Sequence, residues 1–94
     1  LCSDNQLTAL DVSKNTALRV LRCGGNELPT LDVSKNAALI ELECYKNQLT
    51  KKAINALFSA LPTYSYGRIW IDGNPGSADC TPSIAENKGW EVIR

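Results

Sequence analysis

The chain has 94 residues, of which 44% are hydrophobic and 21% are charged, and ten lysines and arginines balance ten aspartates and glutamates. This length fits one domain, and the zero net charge without a run of like charges excludes the electrostatic footprint of a nucleic-acid binder. No stretch approaches the roughly 18 consecutive apolar residues of a membrane span. Because the chain contains no methionine, we expect a fragment, or the mature remainder, of a longer protein.

Residues 1 to 50 contain an internal repeat. The sequence LDVSKN occurs at 10–15 and again at 31–36, which defines a 21-residue unit made of two similar halves. Leucine, valine or cysteine, and asparagine recur in phase through both halves. The leucines are Leu7, Leu18, Leu28, Leu39 and Leu49 in one column and Leu10, Leu21, Leu31 and Leu42 in the next, followed by Val12, Cys23, Val33 and Cys44.

Each half-repeat predicts a short strand followed by a bend. In segments 10–12 and 21–23, alternate side chains point inward while Asp11 and Arg22 point outward. An asparagine follows each strand, and asparagine suits a bend because its side chain bonds nearby backbone groups and tolerates left-handed conformations. One turn of the chain would then carry two strands on opposite sides, and each would pair in parallel with its counterpart one turn away.

Residues 51 to 76 predict a longer repeat that contains a helix. Segment 69–74 matches 42–47 at a displacement of 27 residues. Thr50 can cap a helix that Pro62 prevents from continuing. The apolar positions on one face of this helix are Ala53, Ile54, Leu57, Phe58 and Leu61.

Residues 77 to 94 predict a C-terminal cap. Pro82 can start a short helix after Thr81, and Gly89 can end it. Segment 90–92 lies 21 residues after 69–71, in register for a last strand. At the other end the first strand is interrupted, so we expect either preceding repeats or self-association through this N-terminal edge, within residues 1 to 16.

The repeat resembles the leucine-rich repeat family. The likeness is carried by the pattern LxxLDVSKNxxLxxLxCxxN, which is similar to the short nested repeats of bacterial secreted and cell-surface proteins. It implies an α/β leucine-rich repeat solenoid, a right-handed parallel β coil, with a helix-containing final repeat and a helix-strand cap, in one domain over residues 1–94. It also implies an extracellular or cell-surface location and a protein or polysaccharide ligand.

The four cysteines allow three interpretations: a zinc site, disulfides, or packing residues. A zinc site is disfavoured because no pair has C-x-x-C spacing and the chain has no histidine. Cys2, Cys23 and Cys44 share one inward column, where ladder neighbours have poor disulfide geometry, so we expect reduced packing residues. Cys80 is expected to fill the cap, and a bridge that involves it remains an alternative.

No residues suggest catalysis. The lack of histidine removes Ser-His and Cys-His nucleophile pairs, and the Gly-Gly pair at 24–25 lacks the spacing of a phosphate loop. Asp11 and Asp32, next to Ser13 and Ser34, allow a cation or hydroxyl-ligand ladder, but a solvated face balanced by neighbouring lysines is the favoured interpretation. We therefore expect no enzyme, no cofactor and no metal site.

The outward face of the first sheet is the predicted binding surface. Charged pairs Arg22–Glu43 and Glu41–Arg68 are expected across its strands. A tryptophan next to a tyrosine and arginines is typical of an interface hot spot or a sugar-stacking platform. The candidate binding residues are Arg22, Glu43, Tyr45, Arg68, Trp70 and Glu91.

Two alternatives to this binding surface remain open. Tyr64 and Tyr66 could cover Trp70, which would remove it from any interface. The domain could also be a structural spacer or stalk within a larger surface protein. The favoured prediction is a non-catalytic module that binds a protein or polysaccharide.

Overall fold

The computed structural model describes residues 3–63 and 67–94, which form a small α/β domain on a four-stranded parallel sheet. The strands lie in the order β1-β2-β3-β4. They are β1 (Val20–Arg22), β2 (Glu41–Glu43), β3 (Gly67–Trp70) and β4 (Trp90–Ile93). Helix α1 (Lys51–Ala60) lies between β2 and β3 in the chain, and α2 (Ser83–Glu86) between β3 and β4. Because the strands are parallel, each connection returns the chain to the same end of the sheet.

The strand register confirms the predicted displacements for β1 to β3. Leu21 aligns with Leu42 and Leu42 with Ile69, which are the expected steps of 21 and 27 residues. The last strand is present, but its predicted register is wrong because Trp90 aligns with Gly67 and not with Ile69. A shift of two residues keeps Trp90 facing inward, since side chains alternate with a period of two.

The predicted second sheet is wrong. Segments 10–15 and 31–36, which we call the opposite side, contain no strand, although Val12 and Val33 are buried. The chain turns there through a backbone hydrogen bond from Asn36 N to Val33 O at 3.0 Å, and the earlier copy makes the same bond. An inward-facing apolar column therefore does not require a strand ladder.

Helix α1 begins and ends as the sequence predicts. The Thr50 hydroxyl accepts a hydrogen bond from Ala53 N at 3.3 Å, which satisfies one backbone donor of the first turn. At the other end, Lys88 Nζ donates to the carbonyls of Ser59 and Leu61, where exposed helix carbonyls attract a cation. The side chains that α1 buries against the sheet core are Ile54, Leu57 and Phe58.

Buried asparagines connect successive repeats of the chain at the carboxyl ends of the strands. Asn47 Oδ1 accepts from Leu28 N at 3.0 Å, and its Nδ2 donates to Cys23 O at 3.0 Å, both in the preceding turn. Asn74 makes the equivalent bonds, since its Oδ1 accepts from Leu49 N at 3.1 Å and its Nδ2 donates to Cys44 O at 3.0 Å. The asparagine amides thus satisfy backbone groups that would otherwise be buried without partners.

The residue before each of Asn5, Asn26, Asn47 and Asn74 has a left-handed backbone. Its φ is 59° at Asp4, 73° at Gly25, 51° at Lys46 and 75° at Gly73. The sequence prediction gave this conformation to the asparagine itself, so it is wrong by one position. The preceding residue makes the bend, and the side chains of the three buried asparagines, Asn26, Asn47 and Asn74, bond backbone groups of the repeat before.

The cysteine column is buried as expected. Cys23 and Cys44 are fully buried, and Cys44 and Cys80 carry free thiols. Burial raises the pKa of the Cys44 thiol well above its ordinary value, and the nearby Cys23 and Asp72 raise it further. Cys2 lies outside the described residues.

Candidate functional site

The outer face of the sheet carries all six predicted binding residues. Alternation along the strands points Leu21, Leu42 and Ile69 into the core and their neighbours outward. We call this surface the outer face. Its side chains are Val20, Arg22, Glu41, Glu43, Tyr45, Arg68, Trp70, Asp72, Glu91 and Ile93.

Ion pairs link the charged residues of the outer face. Arg22 Nε lies 3.2 Å from Glu43 Oε2, as predicted, and Arg22 Nη2 lies 3.5 Å from Glu41 Oε2. The predicted Glu41–Arg68 pair is wrong: these residues are cross-strand neighbours, but Arg68 Nε pairs with Glu91 Oε1 at 3.4 Å. Arg68 has a carboxylate on each adjacent strand, and Glu41 is engaged by Arg22.

The Tyr45 ring lies directly over Gly24 on the outer face. A Cβ atom at Gly24 would overlap the Cε1, Cε2 and Cζ atoms of that ring, and Gly24 itself is buried. Sequence reasoning considered Gly24 only as part of a phosphate loop and missed this role. The signal that could have found it is the 21-residue step, which places Gly24 beside Tyr45 in the register of β1 and β2.

Trp70 ends β3 and is half-buried. Its neighbours in register are Glu43 on β2 and Ile93 on β4. The indole is therefore held on a rigid strand and still reaches the surface. Tyr64 and Tyr66, the predicted alternative cover for Trp70, lie outside the described residues.

A groove crosses the amino-terminal ends of β2, β3 and β4 beside the outer face. It has a volume of about 360 Å³. The glycine just before β4 adds no side chain to it, the glycine at the start of β3 is packed against the buried Trp90 ring, and charged side chains form the walls of the groove. The residues that line it are Ile40, Glu41, Gly67, Arg68, Gly89 and Glu91.

The opposite side has the features of a solvated turn. Exposed Asp11 and Asp32 accept hydrogen bonds at 2.9 Å from Ser13 N and Ser34 N, two residues later in each case. Hydrogen bonds from these serines lower the pKa of both carboxyl groups. Each aspartate thus organises its own turn, which supports the solvated-face interpretation.

Two negative findings hold for the part of the chain that the structure describes. It contains no group of three histidine, cysteine, aspartate or glutamate side chains arranged to hold a metal ion. Neither of its helices is long and apolar enough to cross a membrane.

Comparison of the chain with protein-family models, with curated proteins and with solved structures finds no match. Inference about function therefore depends on the geometry of the outer face and on the repeat pattern of the sequence.

Proposed function

We propose that this chain is a leucine-rich repeat solenoid that serves as a non-catalytic binding module of a secreted or surface-displayed bacterial protein. The proposal rests on the repeat pattern and on one structural observation. The outer face holds Trp70 at the end of β3 and Tyr45 two residues beyond the end of the adjacent strand β2, among side chains of both charges. Aromatic residues with arginines are enriched where proteins bind partners, and aromatic rings also stack on sugars.

Rigidity favours the outer face over the opposite side as the binding surface. Arg22 is paired with two carboxylates, and Tyr45 is seated on Gly24, so little side-chain freedom remains to be lost on binding. The outward residues of the opposite side are small or singly charged: Ala9, Asp11, Ser13, Thr30, Asp32 and Ser34. None of them offers a large anchoring side chain.

The test is a binding screen of the full chain against host extracellular proteins and polysaccharides. For any ligand found, Trp70→Ala should weaken binding by about 30-fold or more, the loss typical of a hot spot. Asp32→Ala on the opposite side is the control and should leave the affinity unchanged. Loss of binding from Asp32→Ala with none from Trp70→Ala would show that the opposite side binds.

The alternative function is a structural spacer or stalk, whose outer face binds nothing. It would replace the binding proposal if no ligand emerged from the screen while circular dichroism showed the chain to be folded.

We also propose that the chain self-associates through its N-terminal edge, residues 1 to 16. Supporting this, β1 is the first strand of the described sheet, and Leu7, Leu10 and Leu18 are only partly buried against the core. Sedimentation velocity should show dimers or larger species whose fraction rises with concentration. A monomer at high concentration, with slow amide exchange through residues 3 to 12, would contradict it.

A further inference from the structure

Charge on the outer face is unevenly distributed. The carboxylates of Glu41, Glu43, Asp72 and Glu91 share this surface with the guanidinium groups of Arg22 and Arg68, so four negative groups face two positive ones. The whole chain has a net charge of zero, so its remaining surface is positive by the same amount. The outer face is thus the acidic side of a neutral protein.

The ion pairs do not neutralise this excess. Arg22 serves two carboxylates, those of Glu41 and Glu43, with a single positive charge. Arg68 is engaged by Glu91, and both side chains are about two-thirds exposed, at 63% and 65%. A pair this exposed is weak and can rearrange when a competing charge arrives.

The groove carries a net negative charge, as the surrounding outer face does. Carboxylates of Glu41 and Glu91 stand on its two walls, with only Arg68 between them as a positive group. Gly67 contributes only backbone to this groove, since the space at its side-chain position is filled by the buried Trp90 ring, and Gly89 adds no side chain, so an extended side chain of another protein can lie along the groove. Its volume of about 360 Å³ is at the small end of the range for ligand sites, which suits one long side chain better than a drug-sized molecule.

We infer that the groove beside the outer face accepts a lysine or arginine side chain from a basic segment of a partner protein. This inference rests on the proposed binding function and specifies its ligand. The cation lies between the carboxylates of Glu41 and Glu91 and displaces Arg68 from Glu91. Neighbouring residues of the partner then pack against Tyr45 and Trp70, where ring faces attract further positive charge.

The inference predicts the sign of each substitution. Glu41→Gln and Glu91→Gln each remove an attractive charge and should weaken binding of a basic peptide by about 1.5- to 5-fold, as expected for exposed charge pairs. Arg68→Gln removes a repulsive charge and should tighten binding by a similar factor. An acidic ligand would reverse all three effects.

The experiment uses the full chain and three synthetic peptides of equal length, in which serine alternates with lysine, glutamine or glutamate. Affinities are measured by fluorescence anisotropy at low and high salt, and NMR locates the binding through the amides of Gly67 and Gly89. We expect the lysine peptide to bind most tightly, to shift both glycine amides and to weaken in high salt. Glu27→Gln and Lys52→Gln are the matched controls, because both residues are exposed and lie away from the groove.

Separate outcomes overturn the inference and the proposed function. Equal or tighter binding of the glutamate peptide, or lysine-peptide affinity that Glu41→Gln and Glu91→Gln leave unchanged, would overturn the inference. If the chain then bound another ligand in a Trp70-dependent way, the proposed function would stand without it. If neither the peptides nor the screened proteins and polysaccharides bound, both would fall.

Discussion

The same hexapeptide, LDVSKN, occupies two places on the opposite side and ends in different environments. Asn15 is exposed in the first copy, whereas Asn36 is fully buried in the second. Asn36 Nδ2 donates to Val12 O at 3.0 Å and to Asn15 O at 2.9 Å, so its partners belong to the preceding copy. Identical local sequence therefore differs in its structural role according to whether a preceding copy supplies hydrogen-bond partners.

A second difference separates the opposite side from the sheet side, by which we mean β1 to β4 and the asparagines that follow them. On the sheet side, Asn47 and Asn74 use both their oxygen and their nitrogen in hydrogen bonds. On the opposite side, Asn36 Oδ1 is buried without a partner. Stability should therefore depend more on the sheet-side asparagines, because a buried acceptor that is already unpaired has less to lose.

The largest expected effect concerns thiol access on the sheet side. Because Cys44 is fully buried and its pKa is raised, alkylation should require global unfolding and proceed at least about 10³-fold more slowly than in denaturant. Peptide mass mapping after timed labelling measures this rate. All four thiols should label in denaturant without reductant, and a mass that shows two intramolecular disulfides would contradict the assignment of the cysteine column.

Core packing on the opposite side should contribute to stability although that side has no paired strands. Leu31 is 6% exposed, so Leu31→Ala should lower the free energy of unfolding by about 2–5 kcal/mol. Lys35→Ala, four residues later on the exposed surface, should change it by less than about 0.5 kcal/mol. Urea denaturation measures both, and similar small effects at the two positions would mean that the opposite side is not part of the core.

Asparagine substitutions compare the two sides directly. Asn47→Ala leaves Leu28 N without its partner and removes one of the two side-chain donors to the Cys23 carbonyl, so it should cost about 3 kcal/mol. Asn36→Ala should cost about 1 kcal/mol, and Asn15→Ala, the control from the identical hexapeptide, less than about 0.5 kcal/mol. Equal losses from Asn47→Ala and Asn36→Ala in urea denaturation would remove the proposed difference between the sides.

The smallest expected effect is a pH dependence on the opposite side. Hydrogen bonds from Ser34 lower the pKa of Asp32 below its ordinary value of 3.8. A lowered pKa in the folded state means that ionised Asp32 stabilises the fold above pH 3.8 and that this contribution is lost as the pH falls through the folded pKa. Asp32→Asn should therefore reduce stability slightly at pH 6 and flatten its decline below pH 4. Denaturation at both pH values should show no such flattening for Glu27→Gln, the control.

Periodicity predicted much of this fold. The 21- and 27-residue steps, the Thr50 cap and the inward columns follow from residue spacing, because each depends on local geometry. The spacing could not show that the second sheet is absent. An alternating inward pattern is compatible with a strand or with an extended turn, and only the backbone hydrogen bonds distinguish the two. The register of Trp90 also escaped prediction, because the connection before it has no repeat to constrain its length.

The sequence could predict which residues lie on the outer face, but it could not predict their ion pairs or the groove beside them. Alternation placed all six residues on the outer face. Arg68 pairs with Glu91 because of the side-chain rotamers and because Arg22 already pairs with Glu41. Residue spacing determines neither of these. The groove depends on the register that places Glu91 beside Arg68 across β3 and β4, and the predicted register of β4 does not bring these two residues together.

The step from β2 to β3 is six residues longer than the step from β1 to β2, and both steps advance the sheet by one strand. The number of residues between two strands therefore does not set the distance between those strands in the sheet. With neighbouring strands about 4.8 Å apart, the four strand axes span roughly 14 Å, whatever the connections contain. The spacing of the outward side chains across the strands is therefore set by the sheet, and a helix inserted into a connection leaves that spacing unchanged.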